Sequence, residues 1–481
     1  MTLQRQPFKV NRPRVGLPEL RPPCTSGTGS HMFSGLLLIG ATILAIAATP
    51  AWGSTFNVLS YGATGNGHTD DAPAVQRAEE AAELAGGGSV YMPAGKYLIN
   101  STILLGSNIE IYGDGDSTVL MRTDTQSMVP EYGADCQAAK PPKGPMTHLF
   151  TNRHYNCVDQ NVNLHDFTAD GSAIVKVPCG PLLAFSGLVD STVANVTVLN
   201  APQDAMFFRN GGVNLTVKNN KILFHDRLWG NGAGINVEMH VNGQIWGPVT
   251  ITNNQIVTAA TNFCSAALNR SCTGDLDCSD LQPSTCGKGA SSSAGIAITW
   301  GAGSTHPPQA TITGNHIWVG NDHYGIICNG CVNSVISGNV ILSAKSRGAP
   351  GTGTFTGISS HSTAGGEIQN LTIQGNTIVG TGESEDGRAI FVNGQGSGSG
   401  LKIQDNVIAH KNSSNGKAVV EVRGLTDVNV SGNHLCFVSS NDIRVGGPEA
   451  PVVNGTMTKN TVVHIKEHPA TLPAECSALP Q

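Results

Sequence analysis

The stretch Ile373-Gln-Gly-Asn-Thr-Ile-Val379 decides the fold, because the chain repeats it. The same frame stands at Val217-Lys-Asn-Asn-Lys-Ile222, Ile251-Thr-Asn-Asn-Gln-Ile256, Ile312-Thr-Gly-Asn-His-Ile317 and Ile336-Ser-Gly-Asn-Val-Ile341. It returns at Ile403-Gln-Asp-Asn-Val-Ile408, Val430-Ser-Gly-Asn-His-Leu435 and Met457-Thr-Lys-Asn-Thr-Val462. Its asparagines, Asn220, Asn254, Asn315, Asn339, Asn376, Asn406, Asn433 and Asn460, recur every ~25 to 35 residues outside one longer interval, as stacked repeats do. Apolar and polar residues alternate at period 2 on either side of the Asn, so each unit reads as two short strands around a turn. Asn tolerates the left-handed backbone of a tight bend, and stacked Asn amides can bond from coil to coil. Strands from successive coils pair in parallel, ~4.8 Å apart. The expected fold is all-β: a single right-handed parallel β-helix with its asparagines in register on one turn.

Composition agrees with a coil stack. Charged residues make up 13% of the chain, about half the usual share, while 59 glycines supply its turns. A net charge of -6 with no Lys/Arg run argues against nucleic acid and leaves carbohydrate or protein as the partner. Residues 33–49 are uncharged and apolar, five basic residues precede them and Ala51-Trp-Gly53 follows. This reads as an export signal over residues 1–53, cleaved near Gly53, with Met32 as an alternative start and a retained membrane anchor as the competing reading. Residues 54–481 then form the β-helix of a secreted, extracellular or periplasmic protein with no membrane contact after cleavage. The sequence leaves its oligomeric state open. Export favours disulfides, so Cys264, Cys272, Cys278 and Cys286 are expected to bond locally within an inserted loop, 264–286. Cys328 and Cys331 are expected to form a bridge of their own.

After the signal comes Phe56-Asn-Val-Leu-Ser-Tyr-Gly-Ala-Thr-Gly-Asn-Gly-His-Thr-Asp-Asp-Ala72, then a helical segment, then Gly86-Gly-Gly-Ser-Val-Tyr-Met-Pro-Ala-Gly-Lys-Tyr-Leu-Ile99. Asp70 suits the helix cap, Pro73 its first turn, and Val75, Ala78, Ala82 and Ala85 make an apolar stripe that would close the open end of the stack. This opening resembles the N-terminal segment of the pectate-lyase superfamily, as in rhamnogalacturonase-like and exo-polygalacturonase-like proteins. With the coils behind it, the resemblance covers residues 55 to about 465. It implies the β-helix and a link to acidic polysaccharides, which family members hydrolyse, eliminate, epimerise or simply bind. The sharper signatures are absent from the sequence: no Asn-Thr-Asp, Gly-His-Gly or Arg-Ile-Lys of polygalacturonases, and no Asp-Pro-His-Asp of alginate epimerases. The site has to be argued from position.

A second strand recurs before each Asn unit: Ala205-Met-Phe-Phe-Arg209, Gly234-Ile-Asn-Val-Glu238, Gly295-Ile-Ala-Ile-Thr299, Gly325-Ile-Ile-Cys-Asn329, Gly357-Ile-Ser-Ser-His361 and Ala389-Ile-Phe-Val-Asn393. Period 2 sends the first residue after Gly or Ala inward and the third beyond it outward, which makes one exposed column of Arg209, Glu238, Thr299, Asn329, His361 and Asn393. The adjoining loops carry Asp204, His225-Asp226-Arg227, Asp322-His323-Tyr324 and Arg388, with Trp229 and Trp300 at the edges as platforms for sugar rings. Any soluble β-helix shows polar residues outside; Glu238 stands out as an acid where neighbouring coils carry Thr or Asn, one coil from Arg209. Hydrolysis would pair Glu238 with Asp204, Asp226 or Asp322. Elimination would use a base and a cation, served by His225, His323, His361, Arg209 and Arg227, with Tyr324 as proton donor. No motif fixes a cofactor; Ca2+ is the metal a lyase could use. A non-catalytic carbohydrate-binding or surface-interaction protein is the competing class.

Overall fold

Each Asn unit contributes two short strands, and each strand bonds to its counterpart one coil away. Thr372–Gln374 lies between Val335–Ser337 and Ser399–Gln404, and Thr377–Gly380 lies between Val340–Ser343 and Val407–His410, all in parallel. The computed structural model describes residues 53–125, 147–154, 158–174, 180–225, 232–239, 247–258, 262–264, 267–271, 286–288, 294–300, 307–319, 324–343, 355–362, 366–380, 387–410, 418–438, 442–447 and 450–464. The expected export segment, Asp226, Arg227, Trp229, Asp322, His323, Cys272 and Cys278 lie outside these residues. Among the described residues no helix is long and apolar enough to cross a membrane.

Among the described residues, the strands around the asparagines and those of the N-terminal coils form one sheet of 24 strands, and a second sheet of 12 strands faces it. The second sheet steps from Ile103–Leu105 through Leu183–Val189, Met206–Val213, Ala233–Met239, Ala294–Trp300, Tyr324–Cys328, Thr356–His361, Arg388–Asn393 and Val420–Arg423 to Ile443–Val445. The whole is a right-handed parallel β-helix. Isoleucine and valine from both sheets meet inside as one continuous core, from Val58 to Leu435. The inserted segment departs from this pattern: Asn262–Cys264 pairs antiparallel with Ala267–Ser271 and with Cys286–Lys288, and the Cα atoms of Cys264 and Cys286 are partners. Cys328 and Cys331 are joined by a disulfide.

The eight asparagines form an unbroken ladder. In every step from Asn220 to Asn460, one Asn donates both its backbone N–H and its Nδ2 to the Oδ1 of the next. Each Nδ2 also donates to a backbone carbonyl, as Asn376 does to Ile336 at 3.0 Å. One expectation is corrected here: the left-handed residue is the one before the ladder Asn. Asn219, Asn253, Asp405 and Lys459 have φ of 55°, 55°, 53° and 57°, and Gly314, Gly338, Gly375 and Gly432 take the same place at 60° to 67°. The bend turns one residue early, so the Asn side chain swings inward and its amide is buried along the stack axis.

The helix α1 (Ala72–Leu84) covers the N-terminal end and buries Ala72, Ala74, Val75, Ala78, Glu79 and Ala82. Its N-cap is Asp71, whose carboxylate instead accepts from the backbone of Thr64 and Gly65; Asp70 accepts from Ala72 N at 3.2 Å. Glu79, which no apolar stripe would foretell, takes the Gly106 N–H at 2.7 Å and Arg153 at 2.6 Å. The recurrent Gly before the inward Ile has a packing reason. A Cβ on Gly357 would sit 2.6 Å from the Ala389 carbonyl oxygen and 2.6 Å from Ile378 Cγ2, so at this coil Gly lets the neighbouring strands approach this closely.

Candidate functional site

The alternation predicted for the second sheet is realised strand by strand. Met206 and Phe208, Ile235 and Val237, and Ile296 and Ile298 are fully buried, which turns the residues between and after them outward. Arg209 is the Cα partner of Glu238, and Glu238 of Thr299. Further along, His361 N donates to Asn329 Oδ1 at 3.0 Å, and His361 is the partner of Asn393. The six residues thus stand in register along the axis. Asn393 is in turn the partner of Arg423, so the column continues one coil further than expected. From Arg209 to Arg423 it runs roughly 30 Å at the spacing of parallel strands.

Around Glu238, which is half-buried, the loop residues fall into two groups. Asp204 is 2% exposed, and its Oδ1 accepts the Ala233 N–H at 2.6 Å and Asn236 Nδ2 at 3.2 Å, so it braces the strand that carries Glu238. His225 is fully buried at the end of Lys221–His225, where a register shift between Leu223 and His225 turns its ring away from the outer face. Tyr324 is half-buried and in register with Ala294 and Thr356. The Trp300 backbone pairs with Met239, and its side chain is outside the described residues. Among the described residues no group of three or more His, Cys, Asp or Glu side chains is placed to hold a metal ion.

Among the described residues a cluster of charges lies at the C-terminal end of the same face. Glu421 is fully buried and accepts from Arg388 Nε at 2.5 Å and Arg423 Nε at 2.8 Å, with Arg444 Nη1 at 3.6 Å. Burial alone would raise its carboxyl pKa; the hydrogen bonds and charges of Arg423 and Arg388 outweigh that and hold it below the usual value. The Arg388 guanidinium sits 4.2 Å from the centre of the Phe391 ring, and the His361 ring meets Phe391 edge-on at 5.0 Å. Burial, and then the charge of Arg388, lower the His361 pKa, so the imidazole is neutral near pH 7; its Nε2 lies 3.0 Å from Ser359 Oγ. His361 and Arg388 were legible as candidates; Phe391, Glu421, Arg423 and Arg444 were not. The signal for two of them was present, since Val419-Val-Glu-Val-Arg423 continues the recurring strand with Val in place of Ile.

Residues 55–291 match the family described as rhamnogalacturonase A/epimerase, pectate lyase-like. Mannuronan C5-epimerase AlgE1 of Azotobacter vinelandii is 40% identical over 90 residues, which are 17% of this chain and 6% of that protein. PfbA, a surface adhesin of Streptococcus pneumoniae, superposes with a TM-score of 0.54 at 17% identity, covering 85% of this chain and 89% of that one. An exopolygalacturonase of Thermotoga maritima superposes with a TM-score of 0.54 at 14% identity, covering 85% and 92%. The epimerase match spans a small part of its relative, and the two structures share the fold across most of their length. Residues 55–291 thus resemble that pectate-lyase-like family, and the coils that follow share the parallel β-helix fold of the two solved structures.

Proposed function

We propose that the protein is an exported, polysaccharide-active β-helix that takes an acidic, uronate-containing chain along the outer face of its second sheet and cleaves it by hydrolysis or β-elimination. The observation that carries this reading is the register of Arg209, Glu238 and Thr299 on three successive strands, which puts an acid and a cation side by side on a rigid face. Glu238 would act as general acid or base. Arg209 would offset the charge of a uronate or of the transition state formed from it. In the hydrolytic version the second carboxyl group comes from Asp204, Asp226 or Asp322. Of these Asp204 is described, and its two hydrogen bonds suit it to holding the strand. A non-catalytic carbohydrate-binding or adhesive role is the second reading, supported by that burial of Asp204 and by the shared fold with a surface adhesin.

One experiment separates these. The mature protein is offered pectic, alginate-like and neutral glycans while reducing ends and the ultraviolet absorbance of unsaturated uronide are followed. Absorbance identifies elimination, and reducing ends without it identify hydrolysis. The Glu238→Gln variant should lose ~100-fold or more of either activity. Its stability should stay within ~1 kcal/mol, because an exposed-face isostere leaves the core alone. Binding without cleavage selects the second reading, and full activity in Glu238→Gln removes Glu238 from the chemistry.

A further inference from the structure

We infer that Arg388, Arg423 and Arg444, arrayed on the buried carboxylate of Glu421, form a separate binding subsite for the carboxylate of an acidic sugar, distant from Glu238 along the same face. Three positive charges converge on one negative charge there, and among the described residues Glu421 is the only carboxylate within ion-pair distance of the three arginines. The surplus is not hidden: the Arg423 and Arg444 side chains are 39% and 42% exposed, while that of Glu421 is fully buried. Such a carboxylate acts as an anchor. It satisfies one edge of each guanidinium and leaves the other N–H groups pointing away from it, in the planar fork that matches an incoming carboxylate.

The aromatic ring makes this a sugar site rather than a generic anion site. Phe391 is the Cα partner of Glu421 on the outer face, holds Arg388 from one side and meets His361 edge-on from the other. A pyranose lying over these coils would set its apolar face against Phe391 and its carboxylate against Arg423 and Arg444. His361 is neutral near pH 7, so it adds hydrogen-bonding capacity without a fourth charge. The column places Arg423 five strands beyond Glu238, about 24 Å away, so the subsite would grip a polymer at a distance from Glu238 instead of acting on a bond.

This inference rests on the polysaccharide reading above, and the test keeps the two apart. Binding of an oligogalacturonate and of the same oligomer with its carboxyl groups reduced to alcohols is measured by calorimetry on the wild type, Arg423→Gln, Arg444→Gln and the double variant. Thermal melts of each variant run alongside. The wild type should prefer the acidic oligomer by ~10-fold or more. Each single variant should lose ~10-fold for the acidic oligomer and little for the reduced one, and raised salt should narrow the gap. Arg423 pairs with the fully buried Glu421 carboxylate, so Arg423→Gln and the double variant should melt earlier. Arg444 lies 3.6 Å from that carboxylate and is 42% exposed, so Arg444→Gln should hardly move the melt; binding is therefore compared well below every melt. If the wild type takes both oligomers equally, or if the double variant keeps full preference for the acidic one, the subsite is refuted while a polysaccharide-binding face stands. If the wild type binds neither oligomer, the subsite is refuted for galacturonate, and if it also binds none of the pectic, alginate-like and neutral glycans the polysaccharide reading falls as well.

Discussion

Replacing Asn376 with Ala tests whether the ladder holds the stack together or only decorates it. Asn376 is fully buried. Its Oδ1 accepts the Asn339 N–H at 3.0 Å and Asn339 Nδ2 at 2.9 Å, and its own Nδ2 donates to Asn406 Oδ1 at 2.9 Å and to the Ile336 carbonyl at 3.0 Å. In Asn376→Ala, Asn339 Nδ2 keeps the Ile312 carbonyl, and Asn406 Oδ1 keeps the backbone N–H of residue 376. The Asn339 N–H and the Ile336 carbonyl then each lose a bond in a dry interior, at ~1–3 kcal/mol each. The expected loss is about 4 kcal/mol, which is large beside the 5–15 kcal/mol that typically separates folded from unfolded. Asn460 ends the ladder and is half-buried, so water can replace what Asn460→Ala removes, and its loss should be ~1 kcal/mol. Urea midpoints with their m-values, measured on both variants, give the comparison. Equal losses, or less than ~1 kcal/mol for Asn376→Ala, would mean that the strands set the register and the asparagines merely follow.

Two further outcomes concern the turns and the buried histidine. Gly375 has φ of 60° and no atom within 4 Å of the point a Cβ would occupy, whereas a Cβ on Gly357 would meet the Ala389 carbonyl and Ile378 at 2.6 Å. Gly375→Ala should therefore cost ~1 kcal/mol from backbone strain alone, and Gly357→Ala ~3 kcal/mol from overpacking, read as the difference in urea midpoints. His148 is fully buried with its Nδ1 against the Pro181 carbonyl, and burial pushes its pKa down to about 4. The unfolded chain takes up that proton near pH 6.5 while the fold resists it to about 4, so stability falls as pH drops through this window, by about 3 kcal/mol in all, and is unaffected above it. Imidazole signals followed by NMR check this, and a His148 resonance titrating near 6.5 would overturn it.

The parallel coils, the asparagine ladder and the outward phase of the second sheet are all written in the residue order, because they depend on residues a few positions apart and are repeated coil after coil. Even the continuation to Glu421 and Arg423 obeys that period. Which side chains meet is a different matter, settled when the coils stack. Arg388, Phe391, Glu421 and Arg444 come from three successive strands of the second sheet, and connections of unequal length between coils hide their meeting from any fixed spacing. The same holds for Asp204 and His225, polar residues beside a charged loop in sequence, whose burial follows from a hydrogen bond to the next coil and from a register shift. Local alternation fixes which way a side chain points; only stacking fixes its neighbours, and those neighbours set its charge, exposure and chemistry.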